Sequence, residues 1–297
     1  MKKLSLPQVS YNDMLNKCSQ GIKQVKARDN FISAFQNFYE KESEYRELSI
    51  DGNLYNYPKI EPLNNETIVI GNLTKSKLIN LYENNLRNKN KPAREYFDLL
   101  LLSSGGLCPF CGNIGHSKNL DHFLPKTHFP EFSIMPLNLV PSCRDCNMGE
   151  KGQTYATSED EQIIHPYLDK NIFYQEQWVF AEYIDDINEN YGVLSYYVHC
   201  PDNWREEDKK RAEKHFNSFN LANRYRLEAG KHLSEVIDLK NSFIKTLSSR
   251  CNDNNVEKIK DEIVKTILEP VINSDEFPNH WKKVMYKCLA KSTFFNK

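Results

Sequence analysis

Two Cys-x-x-Cys pairs constrain this 297-residue chain more than any other feature. They are Cys108 with Cys111, and Cys143 with Cys146. Each pair spans one tight turn and presents both sulfurs to one ion, and four thiolates suit a tetrahedral Zn²⁺. A site closed by four sulfurs leaves no open position, so we expect this zinc to be structural. The alternative, two unrelated pairs of buried cysteines, requires both spacings to be coincidental.

The residues between and just after these pairs exceed what a plain zinc knuckle requires. They include Asp121-His122, Asn138 and, directly after the last cysteine, Asn147. The segment resembles the HNH nuclease motif, a ββα-metal finger with an embedded structural zinc. The resemblance implies that His122 is the general base and that Asn138 steadies it. It also implies that Asp121 and Asn147 bind the catalytic metal, although the motif ends here in asparagine where the family name has histidine.

A wider set of motifs resembles one branch of that family, the PtuB-like HNH nuclease subunit of Septu and retron-associated antiphage defence systems. The pattern covers roughly residues 93–250 and includes Ala93-Arg94-Glu95-Tyr96-Phe97, Asp121-His122-Phe123-Leu124-Pro125-Lys126, Phe129-Pro130, Asn138-Leu139-Val140-Pro141-Ser142-Cys143 and His165-Pro166-Tyr167. The resemblance implies an effector subunit that acts on DNA. It further implies a companion ATPase as partner and, in the retron-linked systems, a reverse transcriptase with its RNA.

The implied roles agree with the chemistry of phosphodiester hydrolysis. An imidazole near neutral pKa suits activation of the attacking water. A hard cation, Mg²⁺ or Mn²⁺, suits oxygen ligands from Asp121 and Asn147, which leave most of an octahedron for water and phosphate oxygens. The family implies products with a 5′-phosphate and a 3′-hydroxyl. The alternative is that His122 merely supports the zinc fold through a hydrogen bond.

Other polar residues near the motif have weaker assignments. Asn138 orients His122 in one interpretation and is a turn residue that satisfies backbone groups in the other. Lys126 and Lys151 are candidates for phosphate contact or for solvated surface positions. For the remaining histidines near the motif we favour surface placement or packing over chemistry: His116, His128 and His165.

Length and composition bound the class of protein. The chain is 39% hydrophobic and 12% aromatic, which is ample for a packed core. No apolar run approaches the roughly 18 residues of a membrane helix, and the start has no secretion signal. We therefore predict a soluble, cytoplasmic protein. The other cysteines are scattered singly, as expected of free thiols in a reducing compartment: Cys18, Cys200, Cys251 and Cys288.

The charge distribution is unusual for a protein that grips a polyanion. The net charge is −1, and residues 153–200 carry one lysine against nine acidic residues. Residues 108–152 carry four basic and four acidic residues, so the predicted nuclease core lacks a basic face of its own. We infer that DNA affinity comes from a partner, a local patch, or both. The acidic segment is a candidate contact for a basic partner, or a plain solvated face.

The predicted fold class is α+β and mostly helical, with the small finger between helical regions. The predicted division is an N-terminal helical region at 1–106, the nuclease core at 107–152, and a hairpin with a C-terminal helical region at 153–297. Apolar periodicity predicts helix from Ser10 onward, from about Thr74, and from Pro92 to Leu102.

In the finger we predict strands at Leu120–Phe123 and Leu139–Val140 and a helix with Ser142 as its N-cap. Further along, alternation predicts a hairpin of Trp178–Ile184 with Val193–Val198. A long helix capped by Asn220 follows, and two shorter helices fill Val256–Leu268 and His280–Ala290.

The sequence is compatible with two classes of function. The first is a metal-dependent HNH endonuclease that hydrolyses phosphodiester bonds in DNA. The second is a non-catalytic, zinc-stabilised module that binds nucleic acid or protein. Substitution of His122 separates them, because a general base contributes about 10²–10⁴-fold to the rate.

Overall fold

The structure is a computed structural model that describes residues 1–61, 63–184, 192–250 and 261–292. Within these ranges the chain is mostly helical and contains three two-stranded antiparallel sheets, which agrees with the predicted α+β class. No helix in the described part is long and apolar enough to cross a membrane. The chain forms two compact units, residues 2–170 and the residues from Asn171 onward. The three-part division of the chain stays a prediction.

The first unit begins with three helices, α1 (Tyr11–Gln20), α2 (Val25–Ile32) and α3 (Phe35–Ile50). Ser10 caps α1, since its Oγ accepts a hydrogen bond from the Asp13 amide at 3.1 Å. The apolar stripe predicted from Ser10 is thus divided among separate helices. They pack through buried aromatic rings, and the centroids of Phe31 and Phe38 lie 5.7 Å apart.

A small sheet and two more helices lead to the finger. Strands β1 (Ile68–Ile70) and β2 (Leu73–Thr74) pair, and α4 (Lys75–Asn80) follows at the predicted place. The helix continues over Leu81–Leu86 with π-type hydrogen bonds, which shift the register of the side chains by widening each turn. Helix α5 (Arg94–Leu102) then delivers the chain to the first cysteine pair.

The finger pairs strand β3 (Asn119–His122) with strand β4 (Leu139–Ser142), so both predicted strands are present. Asp121 lies opposite Val140 and His122 opposite Leu139. The short helix after β4 is of π type over Asp145–Lys151, and we call it the finger helix.

Ser142 is not the N-cap that the sequence predicted. It is the last residue of β4, and its Oγ donates a hydrogen bond to the carbonyl of Cys143 at 3.1 Å. The finger helix therefore begins later, with Arg144 before its first residue and no side-chain cap. The pairing with β3 explains the difference, because it holds Ser142 opposite Asn119 in an extended conformation.

An aromatic cluster fills the interior beside the finger. Tyr45 of α3 and Tyr57 both pack edge-on against Phe132, with ring centroids 4.9 and 4.7 Å apart, respectively. Phe129 completes the cluster at 6.0 Å from Tyr57. These four rings are buried, so they join the N-terminal helices to the long loop between β3 and β4.

The second unit contains the predicted hairpin, formed by β5 (Val179–Ile184) and β6 (Val193–Val198). The buried Asn279 side chain secures its start, because Oδ1 accepts from the amides of Trp178 and Val179 at 2.8 and 2.9 Å. The helices of this unit are α6 (Ile172–Gln175), α7 (Glu206–Ser218), α8 (Leu221–Arg250), α9 (Glu269–Ile272) and α10 (Trp281–Lys291).

Two sequence predictions in this unit differ in detail from the structure. Asn220 has φ of 49°, a left-handed conformation that separates α7 from α8. Asn220 directly precedes α8 as predicted, and its carbonyl accepts from the Arg224 backbone N–H at 3.1 Å, but its conformation is typical of a residue just past a helix C-terminus. The predicted helix at Val256–Leu268 is π-helical over Val264–Leu268, and residues 256–260 lie outside the described residues. The predicted hairpin loop also lies outside them up to residue 191.

Glu131 is a buried acidic residue in the first unit. Its side chain is 3% exposed, Oε2 has no hydrogen-bond partner, and burial raises the pKa of its carboxyl to about 7. A carboxyl whose folded pKa exceeds its unfolded value stabilises the fold at low pH. That contribution is lost as the pH rises through the folded pKa.

We therefore expect Glu131→Gln to become more stable relative to the wild type as the pH rises. The advantage should grow by about 3 kcal/mol between pH 4.5 and pH 8, since 2.5 pKa units correspond to about that free energy. Chemical unfolding of both proteins at the two pH values measures this difference. A difference that does not change with pH would contradict the raised pKa.

Candidate active site

The four cysteines of the two knuckles converge to form a candidate metal centre. Their sulfur atoms all lie within 4.8 Å of one another, and all four residues are buried. The spacing is compact enough for a single tetrahedral ion with Zn–S bonds of about 2.3 Å. The cluster could bind a zinc ion, as the sequence predicted.

Local backbone geometry shapes the first knuckle. The Gly115 amide donates to Cys111 Sγ at 3.4 Å, and the Cys108 amide donates to the Gly115 carbonyl at 2.8 Å. Gly112 and Asn113 have φ of 61° and 73°, which lets the chain reverse tightly after the second cysteine. Glycine and asparagine tolerate this left-handed conformation better than other residues do.

His122 stands at the end of β3 with its imidazole held by one hydrogen bond. Nε2 lies 2.9 Å from the carbonyl oxygen of Ser133, and since a carbonyl only accepts, Nε2 carries the proton. Burial, followed by the positive charge of Lys126, lowers the pKa of His122 to about 3. This pKa is well below the near-neutral value expected from the sequence, because the ring is buried. The ring is therefore neutral at pH 7, and Nδ1 is the nitrogen with an available lone pair.

Two residues that were not predicted from the sequence hold this imidazole in its orientation. Ser133 is held in turn by α4, because its Oγ donates to the Leu78 carbonyl at 2.8 Å. Tyr82 packs edge-on against His122 with ring centroids 4.4 Å apart, and its Oη donates to the Leu120 carbonyl at 3.3 Å. Tyr82 lies in the helix predicted from about Thr74, and nothing local in the sequence indicates its contact with the histidine.

Asp121 precedes His122 and is almost completely buried. Its Oδ2 lies 3.1 Å from Lys151 Nζ, a distance that fits an ion pair. Apart from this ion pair, Oδ2 has no hydrogen-bond partner in the described part of the chain. Burial raises the pKa of this carboxyl, and the nearby Lys151 opposes the shift. A buried carboxylate oxygen with an open lone pair suits a hard cation.

Lys151, at the end of the finger helix, is also buried. Its Nζ donates to the carbonyl of His122 at 2.8 Å and supplies positive charge beside Asp121. The finger helix that carries it is of π type, and such turns are frequent at functional sites. Lys151 is thus neither the solvated surface lysine nor the free phosphate ligand that the sequence left as alternatives.

A cleft of about 270 Å³ opens beside these groups. It brings together Asp121, His122 and Asn147, three of the four predicted catalytic residues. Asn147 is half-buried on the finger helix, where its backbone N–H donates to the Cys143 carbonyl at 3.1 Å. The other lining residues come from the π-type segment after α4 and the residue that follows it, from β3 and the loop after it, and from the finger helix and its end: Tyr82, Glu83, Arg87, Asn119, Leu120, Pro125, Lys126, Met148, Gly152 and Gln153.

Asn138, the fourth predicted catalytic residue, lies away from the cleft lining and is fully buried. Its Oδ1 accepts from the Leu124 amide at 2.8 Å, and its Nδ2 donates to the carbonyls of Leu124 and Phe132 at 3.0 and 3.2 Å. These three hydrogen bonds go to the loop between β3 and β4. That loop contains Ser133, so Asn138 is connected to His122 through the loop backbone.

A buried hydrogen-bond chain continues from Asn138 to His165. The Tyr167 amide donates to His165 Nδ1 at 3.1 Å, so Nε2 of the neutral ring carries the proton and faces Tyr45 Oη at 3.0 Å. Tyr45 in turn donates to Asn138 Oδ1 at 3.0 Å. His165 is therefore structural, as predicted. The exposed His116 and His128 do not line the cleft.

The geometry defines a candidate four-cysteine metal centre beside a cleft lined by a buried aspartate and a neutral histidine. Among curated proteins, the chain is 57% identical over 295 residues to protein ea31 of Escherichia phage lambda, with 99% of each chain covered. The chain therefore belongs to the family of protein ea31.

A second relative matches over a shorter stretch. The Septu protein PtuB of Bacillus thuringiensis is 36% identical over 104 residues, which cover 32% of this chain and 39% of PtuB. This match supports a partial relation to PtuB. No protein-family model and no solved structure matches the chain.

We expect Cys143→Ser to abolish metal retention and to destabilise the protein by about 4 kcal/mol or more, as is typical when a structural metal is lost. Zinc content per chain and urea unfolding measure the two effects. Cys200→Ser is the matched control, because Cys200 is a single, partly exposed cysteine outside the cluster. Equal zinc content in the two variants would contradict the assignment of the cluster.

The buried pair of Lys151 with Asp121 generates a further prediction. Lys151→Met should destabilise the metal-free protein by about 3 kcal/mol, because it leaves a buried carboxylate without its compensating charge. The double variant Asp121→Asn/Lys151→Met should lose less than the sum of the single losses. Urea unfolding of Asp121→Asn, Lys151→Met and the double variant, in buffer without added Mg²⁺ or Mn²⁺, measures the three losses. Additive losses would show that the two groups do not interact.

Proposed function

We propose that this protein is a metal-dependent HNH endonuclease that hydrolyses phosphodiester bonds in DNA. The observation that carries the proposal is the shared cleft, which is lined by a neutral imidazole and a buried carboxylate. His122 keeps one nitrogen occupied by the Ser133 carbonyl and the other available, as a general base requires. The adjacent Cys108, Cys111, Cys143 and Cys146 cluster, with its proposed structural Zn²⁺, holds the two ends of the finger together.

In the proposed reaction His122 Nδ1 accepts a proton from the attacking water. The hydrogen bond from Nε2 to Ser133 strengthens as the ring becomes positively charged, so the same contact orients the base and stabilises its protonated form. Tyr82 prevents the ring from rotating by packing edge-on against it. Asn138 acts at a distance by fixing the loop that contains Ser133.

The residues present fit a divalent cation such as Mg²⁺ or Mn²⁺. Asp121 provides a buried carboxylate with an open Oδ2, and Asn147 provides an amide oxygen on the same cleft. When bound, the ion would neutralise charge on the phosphate and the leaving oxygen. Lys151 supplies positive charge at Asp121 in the metal-free chain and would have to share that carboxylate with the ion.

The biological setting is proposed from the relation to PtuB and from the motifs shared with the Septu and retron-associated subunits. We propose an effector subunit that works with a companion ATPase, and in retron-linked systems with a reverse transcriptase and its RNA. A relative of this chain, protein ea31, is carried by phage lambda. A phage-borne member of the family would act against the DNA of competing phages.

One observation favours the second candidate function, a non-catalytic zinc-stabilised binding module. Lys151 Nζ lies beside the carboxylate that the proposed metal needs. If the lysine holds that position permanently, the finger binds nucleic acid or protein without cutting it. Catalysis and binding are therefore measured separately in the test that follows.

We expect His122→Ala to lower DNA cleavage by about 10²–10⁴-fold, the usual contribution of a general base. A plasmid-nicking assay with Mg²⁺ measures the rate, with and without the companion ATPase. His128→Ala is the control, because it removes an exposed imidazole six residues along the chain. Zinc content should remain equal in all three proteins.

The outcomes distinguish the two functions. Unchanged cleavage by His122→Ala would show that the assigned base is wrong. Absence of cleavage by the wild type under all conditions, combined with retained DNA binding, would support the binding module. Loss of zinc in the variant would point to a structural role for the imidazole.

A further inference from the structure

Three charged residues meet on one wall of the candidate cleft. Glu83 Oε2 accepts from Arg87 Nη1 at 2.9 Å, and Glu83 Oε1 lies 3.3 Å from Lys126 Nζ. Glu83 therefore bridges two cations that come from different parts of the chain. All three residues line the same cleft as Asp121 and His122.

The folding of the chain explains why these cations are neighbours. Arg87 directly follows the π-helical segment Leu81–Leu86, and Lys126 follows β3 by four residues. Lys126 also lies over the ring of Tyr82, with its Nζ 5.1 Å from the centroid. The tyrosine that packs against the proposed base thus also supports the lysine beside it.

We propose that Arg87 and Lys126 form a backbone-phosphate subsite of the nuclease, and that Glu83 occupies it when nucleic acid is absent. The inference rests on the proposed function and names the part of the substrate that this wall of the cleft recognises. A guanidinium and an ammonium group provide several N–H donors and two positive charges. Phosphate oxygens are the partners for which both groups are suited.

The distribution of charge supports this assignment. The chain has a net charge of −1 and needs a local patch to hold a polyanion near the cleft. Lys151, the other lysine near the site, is buried against Asp121 and the His122 carbonyl. Arg87 is 58% exposed at its side chain and Lys126 is 21% exposed, so both are accessible.

Glu83 is weakly held and can be displaced. It pairs with Arg87 at i,i+4 on a partly exposed helix, where an ion pair adds little stability. A phosphate group can form the same hydrogen bonds and brings with it the entropy gained from released counterions. Glu83 therefore competes with nucleic acid for both cations, and its removal should strengthen binding.

The first experiment measures the salt dependence of DNA binding. The full-length chain carries His122→Ala so that the labelled duplex stays intact. Binding is titrated from about 50 to about 200 mM salt with Arg87→Gln, Lys126→Gln and the double substitution. Each lost phosphate contact should reduce the magnitude of the slope of log K against log salt by about 0.9. Over this salt range, the loss of affinity of a single variant should therefore be about 3.5-fold smaller than that of the parent protein.

The second experiment uses the competing carboxylate. Glu83→Gln should tighten binding about threefold, the equivalent of one exposed ion pair, while the arginine and lysine variants weaken it. A general effect on folding would weaken binding in all of these variants, so opposite changes in affinity indicate a subsite. The matched controls are Arg46→Gln and Glu42→Gln, because this pair has the same i,i+4 spacing and lies outside the cleft lining. These variants should leave both affinity and slope unchanged.

The results overturn either the subsite alone or the proposed function as well. If the wild type cuts DNA while the Arg87 and Lys126 variants keep its salt slope and its KM, the subsite is wrong and the nuclease stands. A Glu83→Gln variant that binds more weakly also overturns the subsite. If the wild type neither binds nor cuts DNA in the presence of its ATPase partner, the proposed function itself fails.

Discussion

The convergence of four buried sulfur atoms is the interaction on which the finger depends. The segment that they close is short, and its two strands contain four residues each. The finger also contains many buried apolar side chains, and a metal bound by the four sulfurs would add stability by clamping both ends. With the ends closed, β3 and β4 pair in one register. That register places Asp121 and His122 side by side at the cleft.

Residues of the N-terminal helices help to position the side chains of the candidate site. The carbonyl that orients His122 belongs to Ser133, and Ser133 is held by the Leu78 carbonyl of α4. The loop that contains it has little regular structure, so a side chain must satisfy its backbone groups. Asn138 does this with both ends of its amide, and Tyr45 of α3 holds that amide in turn. The N-terminal helices are therefore part of the site and more than a support for it.

Charges near the cleft are paired in two different ways. Lys151 is buried with Asp121, where the cost of desolvation is high and removal of either partner leaves an uncompensated charge. Arg87 and Lys126 share Glu83 at the more exposed mouth, where an ion pair is weak and exchangeable. Under the proposed function, this contrast would let a chain with no overall positive charge present cations to a polyanion. The inner pair is buried, whereas in the proposed subsite the outer cations would be released when a phosphate competes with Glu83.

The sequence by itself determined the features that depend on local spacing. The Cys-x-x-Cys pairs predicted the cluster, apolar periodicity predicted most helices, and alternation predicted the hairpin of β5 and β6. Each of these patterns depends on residues that are close together in the sequence. Tertiary structure decided the rest. Ser142 ends a strand because its partner is Asn119, and Tyr82 reaches His122 across 40 residues of sequence. Lys151 turns inward on a π-type helix. Contacts between distant segments have no local signature, so they follow from the folded chain alone.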